Sequence, residues 1–251
     1  MKEREMMVSR LGIQSWCLRG FDDVGKVIEL IKDCDVDKVE LSGVHFDPVK
    51  KPQGSRAVVR KFSDAGMKIT SFGVQQFDAD EAAAQKVFEF ARTAGFSTIN
   101  ADLGEGGLAV AEKLCSKYSK RIAIHNHGRK HQFGSIAALK KLFDQSSPNV
   151  GLCLDTAWAL DAGEDPIGMA EVLKDRLYGI HIKDFVFDAD GTPQDVIIGE
   201  GKLNIDGLTE FLVANDFDGF LTLEYEGDVE DPVPALKKCV EVIRKSFEKV
   251  Q

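Results

Sequence analysis

Short apolar segments alternate with longer amphipathic segments along almost the whole chain, and this alternation limits the folds that the sequence can adopt. The apolar segments predict strands at residues 11–18, 38–43, 68–77, 97–102, 121–128, 150–158, 176–185 and 219–227. The amphipathic segments predict helices at residues 22–34, 55–66, 80–95, 107–118, 135–146, 165–175, 205–216 and 231–247. Such alternation is typical of parallel βαβ units. Eight units predict an α/β (β/α)₈ TIM barrel as a single domain at residues 1–251, with a doubly wound open sheet as the alternative.

Local signals support several of the predicted element ends. Ser135 is a good N-cap for the fifth helix, Pro166 suits the first turn of the sixth, and Gly95 suits the end of the third. Residues 188–204 follow the seventh strand and are predicted to form a long loop, whose GEGKLN segment is either a flexible lid or a plain turn.

Composition excludes several classes of protein. The net charge of −9 opposes binding to nucleic acid, because an acidic surface repels phosphate backbones. No apolar stretch is long enough to cross a membrane, so we expect a cytoplasmic protein with no membrane partner. The five cysteines are scattered, which is typical of small buried residues in a reducing compartment. Among them, Cys17 is a weak candidate for a nucleophile.

Four polar residues close four successive predicted strands in the second half of the chain. They are His125, Asp155, His181 and Glu224. In a TIM barrel the carboxyl ends of the strands surround the active site, so these side chains are expected to meet. Two imidazoles and two carboxylates suit a divalent metal ion. The competing interpretation is structural: a strand-end His often bonds to a loop, and Asp155 could cap the next helix.

Other residues near strand ends are further candidates. The polar ones are Glu40, Gln75, Asp102, His127, Lys183, Asp184 and Glu226. Trp16 and Trp158 could stack on a sugar ring or could simply form part of the core. Arg129 and Lys130, which follow the fifth strand, are the nearest candidates for binding a phosphate.

An ordered set of motifs resembles the xylose-isomerase-like barrel superfamily of sugar phosphate isomerases and epimerases. The motifs are IAIHNHG, GLCLDTAWALDAGEDP, RLYGIHIKD, IGEGKLNIDGL and LTLEYEG. The resemblance implies a divalent metal (Mn, Mg, Co or Zn) bound by Asp155, His181 and Glu224. The first glutamate of the family falls on His125, which departs from the pattern. His127 is an alternative ligand, and Glu40 a distal ligand or base.

The resemblance implies isomerisation or epimerisation of a sugar through an enediolate. The catalytic candidates are Glu224, His125 as ligand or base, and Lys183 as a partner of the developing oxyanion or a hydroxyl. The substrate-binding candidates are Trp16, Glu40, His127, Trp158 and Asp184. Alternatives are a metal-dependent lyase, dehydratase or hydrolase acting on a keto-sugar or cyclitol, and a non-catalytic sugar-binding barrel. An apurinic-site endonuclease is disfavoured by the acidic charge and the few histidines. The expected partners are a carbohydrate and a second copy of the chain.

Overall fold

The structure, a computed structural model, describes residues 7–250. Its strands are β1 (Leu11–Gln14), β2 (Lys38–Leu41), β3 (Lys68–Phe72), β4 (Gln75–Phe77), β5 (Thr98–Leu103), β6 (Arg121–His125), β7 (Val150–Asp155), β8 (Leu177–Ile182), β9 (Asp184–Phe187), β10 (Pro193–Val196) and β11 (Phe220–Leu223). Its helices are α1 (Val24–Asp33), α2 (Ser55–Asp64), α3 (Glu81–Ala94), α4 (Gly107–Tyr118), α5 (Ile136–Asp144), α6 (Thr156–Asp161), α7 (Pro166–Val172), α8 (Ile205–Ala214) and α9 (Val233–Lys249). The predicted domain limits at residues 1 and 251 lie outside the described residues.

A parallel sheet closes into a barrel around the centre of the molecule. Its strand order is β3-β2-β1-β11-β8-β7-β6-β5-β4. Strands β3 and β4 are two parts of the predicted third strand, since β3 pairs with β2 while β4 pairs with β5. Together β3 and β4 occupy one strand position, so the nine strands of the sheet form a barrel with eight strand positions. This confirms the TIM barrel and excludes the open sheet.

A close approach between neighbouring strands explains the glycine between β3 and β4. A Cβ atom on Gly73 would lie 2.5 Å from the carbonyl oxygen of Asn100 in β5. Only glycine therefore lets the chain pass from its pairing with β2 to its pairing with β5.

The three residues predicted to mark helix ends are confirmed. The side chain of Ser135 accepts a hydrogen bond from the Ala138 amide and caps α5. Pro166 begins α7, and Gly95 ends α3 with a left-handed φ of 83°. The first turn and the last turn of a helix leave backbone N–H and C=O groups without partners inside the helix. Ser135 and Gly95 form hydrogen bonds to such groups, and Pro166 has no N–H that would need one.

Most predicted strands are shorter in the structure, and the one predicted at residues 176–185 is divided into β8 and β9. Two further corrections affect the site. The segment predicted as a loop contains β10, which pairs with β9 as an antiparallel hairpin over the barrel mouth. The sixth predicted strand is shorter than expected, because β7 ends at Asp155 and the chain turns directly into α6. Trp158 therefore lies on a helix and not at a strand end. None of the described helices is long and apolar enough to cross a membrane.

The inside of the barrel changes from apolar to polar towards the carboxyl ends of its strands. The helices cover the outside of the sheet with apolar side chains, which include Val27, Phe62, Phe88 and Leu236. Within the barrel, Gln14, Ser71, Asn100 and Thr222 are almost completely buried and polar. Buried polar groups are stable only when they are hydrogen-bonded. The barrel thus holds a polar network beneath its mouth, where the candidate site lies.

Candidate active site

The four strand-end residues meet at the mouth of the barrel. The Nε2 atom of His125 lies 3.2 Å from His181 Nδ1, 3.6 Å from Asp155 Oδ2 and 3.9 Å from Glu224 Oε2. His181 Nδ1 is 2.8 Å from Glu224 Oε2. One donor atom from each residue lies within 4.8 Å of all the others, and all four side chains are buried. This group is called the strand-end cluster below.

The donor atoms of the strand-end cluster fit a divalent ion. A tetrahedral zinc ion with bonds of about 2.0–2.2 Å holds its ligand atoms roughly 3.3–3.6 Å apart, close to the separations found here. Asp155 uses Oδ1 to accept the Trp158 amide and cap α6, while its buried Oδ2 has no hydrogen-bond partner among residues 7–250. A buried carboxylate oxygen without a partner is costly unless a cation or donor occupies the space beside it. The residues therefore fit a divalent metal.

A carboxylate behind the cluster orients one of its histidines. Glu40 Oε2 lies 2.9 Å from His181 Nε2, which leaves His181 Nδ1 facing the other ligands. Glu40 Oε1 accepts hydrogen bonds from Gln14 Nε2 and Asn100 Nδ2. Glu40 is fully buried and does not line the cavity at the mouth. It therefore lies behind His181, and not at the cavity surface where a residue in contact with substrate was predicted.

The two histidines of the cluster have opposite shifts in pKa. Burial would lower the pKa of His181, but Cys153, Glu40 and Glu224 outweigh it and hold the pKa well above its usual value. Burial and the charge of neighbouring His127 hold the pKa of His125 well below its usual value. His125 is therefore in the neutral form that a metal ion requires of a histidine ligand, whereas His181 would have to lose a proton to become a ligand.

The two carboxylates of the cluster also differ. Burial raises the pKa of Asp155 to about 8, against the opposing charge of Lys183. Burial acts on Glu224 as well, but Lys183 and His181 outweigh it and hold its pKa well below the usual range. Glu224 is therefore ionised at neutral pH and has the charge state of a general base.

A cavity of about 520 Å³ opens above the cluster. Its lining comprises Gln14, Trp16, Ser42, Gly43, Val44, Gly73, Val74, His125, His127, Trp158, Glu224 and Glu226. The two predicted tryptophans and His127 therefore lie where a small polar ligand would contact them. Trp16 belongs to a short 3-10 helix after β1. A neighbouring cavity of about 390 Å³ is lined by His127, Arg129, Lys130 and Trp158, among others.

A buried lysine connects the hairpin to the end of β11. Lys183 Nζ pairs with Glu226 Oε1 and lies 3.7 Å from Asp195 Oδ2 in β10. Glu226 Oε2 also accepts a hydrogen bond from Trp16 Nε1 at 2.9 Å. The Lys183 ammonium is fully buried beside Glu226 and does not line the cavity, and its contact with an oxyanion or a substrate hydroxyl stays a prediction.

The structure places Asp184 away from the substrate cavity. Its carboxylate is fully buried and accepts four backbone N–H groups, from Gly199, Gly201, Lys202 and Leu203. These bonds hold the GEGKLN segment against the barrel, which favours an ordered turn over a flexible lid. Asp184 was predicted to bind substrate, whereas in the structure its carboxylate stabilises the segment at residues 199–203. Cys17 is also buried, and burial raises the pKa of its thiol, which disfavours a nucleophilic role.

Sequence reasoning missed the residues that support the ligands from behind. Asn126 Oδ1 accepts the Asp155 amide at 2.8 Å, and Asn126 Nδ2 donates to the Asp155 carbonyl at 2.9 Å. Asn126 thereby fixes the end of β7 against the end of β6. Gln14 and Asn100 support Glu40 in the same way. The available signal was an amide residue inside an otherwise apolar strand, as in TINAD.

Comparison with known proteins agrees with this architecture. A sequence model of the family described as "Xylose isomerase-like TIM barrel" matches residues 103–246. The chain is 26% identical over 161 residues to inosose dehydratase 1 of Bacillus cereus, a match that covers 58% of this chain and 52% of the dehydratase. The chain thus spans about half the length of this curated relative.

Solved structures share the fold at low sequence identity. The IOLI protein with a bound zinc atom superposes with a TM-score of 0.75 at 14% identity, covering 96% of this chain and 99% of that one. The 3-keto-D-glucoside 4-epimerase YcjR from E. coli gives a TM-score of 0.72 at 15% identity, covering 94% and 99%. The family match extends over more than half of the 251 residues, and the chain belongs to the xylose isomerase-like TIM barrel family.

Proposed function

We propose that this protein is a divalent-metal-dependent isomerase or epimerase that acts on a sugar or sugar derivative through an enediolate. The observation that carries the proposal is the convergence of His125, Asp155, His181 and Glu224 below an open cavity, with Asp155 Oδ2 left without a hydrogen-bond partner among the described residues. The ligands would be these four residues. A bound divalent ion supplies a Lewis acid that makes the carbon next to a carbonyl more acidic.

The remaining chemistry belongs to residues of this chain. Glu224 lines the cavity as a carboxylate; one oxygen would bind the ion, and the other would remove the proton from the carbon beside the carbonyl. A group across the sugar ring would return a proton, and this group is not His125, because a metal-bound nitrogen cannot take up a proton. Trp16 and Trp158 would hold the sugar ring by stacking.

Lys183 would act in this site through its neighbours. It lies beside Glu226 and Asp195, and its charge lowers the pKa of Glu224. Lys183 would therefore keep the base ionised and hold Glu226 at the cavity edge. The adjacent cavity beside Arg129 and Lys130 would accept a phosphate if the substrate carries one.

A dehydratase acting on a keto-cyclitol is the second candidate. Its specific support is the similarity to an inosose dehydratase. Dehydration can begin with the same proton removal, followed by loss of a hydroxyl group from the next carbon. The histidine in place of the family's first glutamate also fits a reaction that needs one base and not a pair of glutamates.

Solvent isotope exchange tests the proposal. Incubation of the metal-loaded protein in D₂O with a panel of ketohexoses and keto-cyclitols should give deuterium at the carbon next to the carbonyl, observed by NMR. Glu224→Gln should lower the rate at least about 100-fold, with metal content measured in parallel. Full activity after removal of metal by a chelator would contradict the proposal. Product with the elements of water lost would identify the dehydratase.

A further inference from the structure

Three more side chains of the types that bind metals lie beside the strand-end cluster. One donor atom from each of Asp102, His127 and His131 lies within 4.8 Å of the other two. Asp102 is at the end of β5, and the two histidines are in the segment between β6 and α5. We call this group the loop cluster. It shares no residue with the strand-end cluster.

The donor atoms of the loop cluster are spaced as the ligands of one ion are. Asp102 Oδ2 and His131 Nε2 form a hydrogen bond of 3.1 Å, and this separation is close to the distance of about 3.3 Å between two ligands of a tetrahedral zinc ion. The side chains of His131 and Asp102 are 21% and 17% exposed, so an ion can reach them from solvent. His131 Nδ1 accepts a long hydrogen bond of 3.3 Å from the Phe133 amide. This bond would be lost when the ring proton moves from Nε2 to Nδ1, a move that frees Nε2 to bind an ion.

His127 is the third member of the loop cluster, and its ring nitrogens are not engaged by other side chains in the part of the chain that the structure describes. Neither ring nitrogen makes a hydrogen bond to another residue in the described range 7–250. Its ring lines the main cavity and lies 4.2 Å from the ring of His125 and 5.1 Å from that of His131, measured between centroids. An unpaired imidazole between two metal-type clusters has a free lone pair for an ion.

The backbone around the loop cluster is held in place. Asp102 Oδ1 accepts the amide of Leu103, which leaves Oδ2 for His131. Gln132 Nε2 donates to the Leu103 carbonyl at 2.6 Å and ties the histidine segment to the end of β5. The two ends of the cluster are therefore positioned before any ligand arrives.

We propose that Asp102, His127 and His131 bind a second divalent cation, of the type that prefers imidazole and carboxylate ligands, such as Zn²⁺. Three protein ligands leave a fourth position open for water or an oxygen of the substrate. The single segment HNHGRKH would then serve both centres, with His125 in the strand-end cluster and the other two histidines in the loop cluster. Partial exposure makes the second site the weaker of the two.

Zinc stoichiometry tests this proposal without any assay of activity. The full chain is stripped with a chelator, dialysed and titrated with Zn²⁺ by calorimetry, and bound metal is measured by mass spectrometry after gel filtration. Two ions per chain are expected, one tight and one weaker. Asp102→Asn and His131→Gln should each abolish the weaker event or weaken it at least about 10-fold, and leave the tight one.

Two further variants separate this proposal from the proposed function. Asp155→Asn should remove the tight event and keep the weaker one, whereas Glu105→Gln, an exposed change three residues after Asp102, should keep both. A single ion per wild-type chain, or two ions bound unchanged by both loop-cluster variants, would overturn the second site. Loss of the tight event in Asp155→Asn would still support the first. Circular dichroism establishes that each variant is folded.

Discussion

At the scale of single residues, Glu40 illustrates how a carboxylate inside the barrel can set the geometry of a site whose cavity it does not line. Its carboxylate accepts hydrogen bonds from Gln14 and Asn100 and pairs with His181. An isolated buried carboxylate would cost several kcal/mol, so these partners are what make the position stable. In return, the pairing at His181 Nε2 directs Nδ1 towards Asp155 and the cavity.

Replacement of Glu40 tests this positioning role. Glu40→Gln keeps the shape of the side chain but removes the charge that holds His181, so zinc affinity should fall roughly 10- to 100-fold. Competition with a chromophoric chelator measures the affinity. Glu105→Gln, an exposed change on the same side of the barrel, is the matched control and should bind zinc as the wild type does. Unchanged zinc affinity in Glu40→Gln would show that Glu40 does not position His181 for metal binding.

At the scale of elements, the segment between β6 and α5 is the part of the mouth that most depends on side-chain anchors. Arg129 donates from Nε and Nη2 to Asp161 Oδ1, at 2.9 and 2.6 Å, and its backbone amide donates to Asp161 Oδ2 at 2.9 Å. Arg129 Nη2 also donates to the carbonyl of Gly191 in the hairpin. Asp161, at the end of α6, thereby fixes the segment that carries the histidines.

The anchor at Asp161 predicts a pH-dependent contribution to stability. Asp161→Asn should lower the free energy of unfolding by about 1–2 kcal/mol at pH 7, because three charge-assisted hydrogen bonds weaken while Arg129 stays half exposed. Burial would raise the pKa of Asp161, but Arg129 outweighs it and holds the pKa below its usual value. The contribution should therefore be complete above about pH 4, the unfolded pKa, and decline as the pH falls through the folded pKa.

Urea unfolding of the wild type and of Asp161→Asn at pH 7 and below pH 4 provides the measurement. Glu171→Gln, an exposed change on α7, is the control and should alter stability by less than about 0.5 kcal/mol at either pH. If Asp161→Asn lowers the free energy of unfolding by the same amount at both pH values, the charge of the Asp161 carboxylate does not cause the loss of stability.

At the scale of the whole molecule, the strand-end cluster exists only when the barrel is closed. His125 ends β6, Asp155 ends β7, His181 lies in β8 and Glu224 follows β11. These strands are adjacent in the sheet, in the order β11-β8-β7-β6. In the unfolded chain the four residues are far apart, so an ion that binds all of them must favour the folded state. The homodimer expected from the sequence stays a prediction.

Metal binding should therefore stabilise the whole barrel. Zinc at 100 times its dissociation constant should add about 2.7 kcal/mol to the free energy of unfolding of the stripped protein and raise its melting temperature. Thermal unfolding with a chelator and with zinc measures the shift. Asp155→Asn should show a smaller shift, while the stripped wild type should stay folded, since Glu40 and Glu224 still pair with His181. An equal shift in both proteins would contradict the strand-end cluster as the tight site.

The sequence by itself determined the eight-fold alternation of strands and helices, the barrel that follows from it, and the residues at the strand ends. These features are local: periodicity, capping and the abrupt change from apolar to polar can be read within a few neighbouring residues. The convergence of His125, Asp155, His181 and Glu224 followed because every barrel directs the carboxyl ends of its strands to one mouth.

Only the tertiary structure decided what each polar residue does there. Glu40 meets His181 across a sequence separation of 141 residues, and Asp102 meets His131 across 29. Asp184 was expected at the substrate but instead binds four amides of the segment at residues 199–203. Partners of this kind depend on barrel closure and side-chain direction, which no local pattern encodes. The physical reason is that a hydrogen bond is specified by distance in space, whereas a strand is specified by distance along the chain.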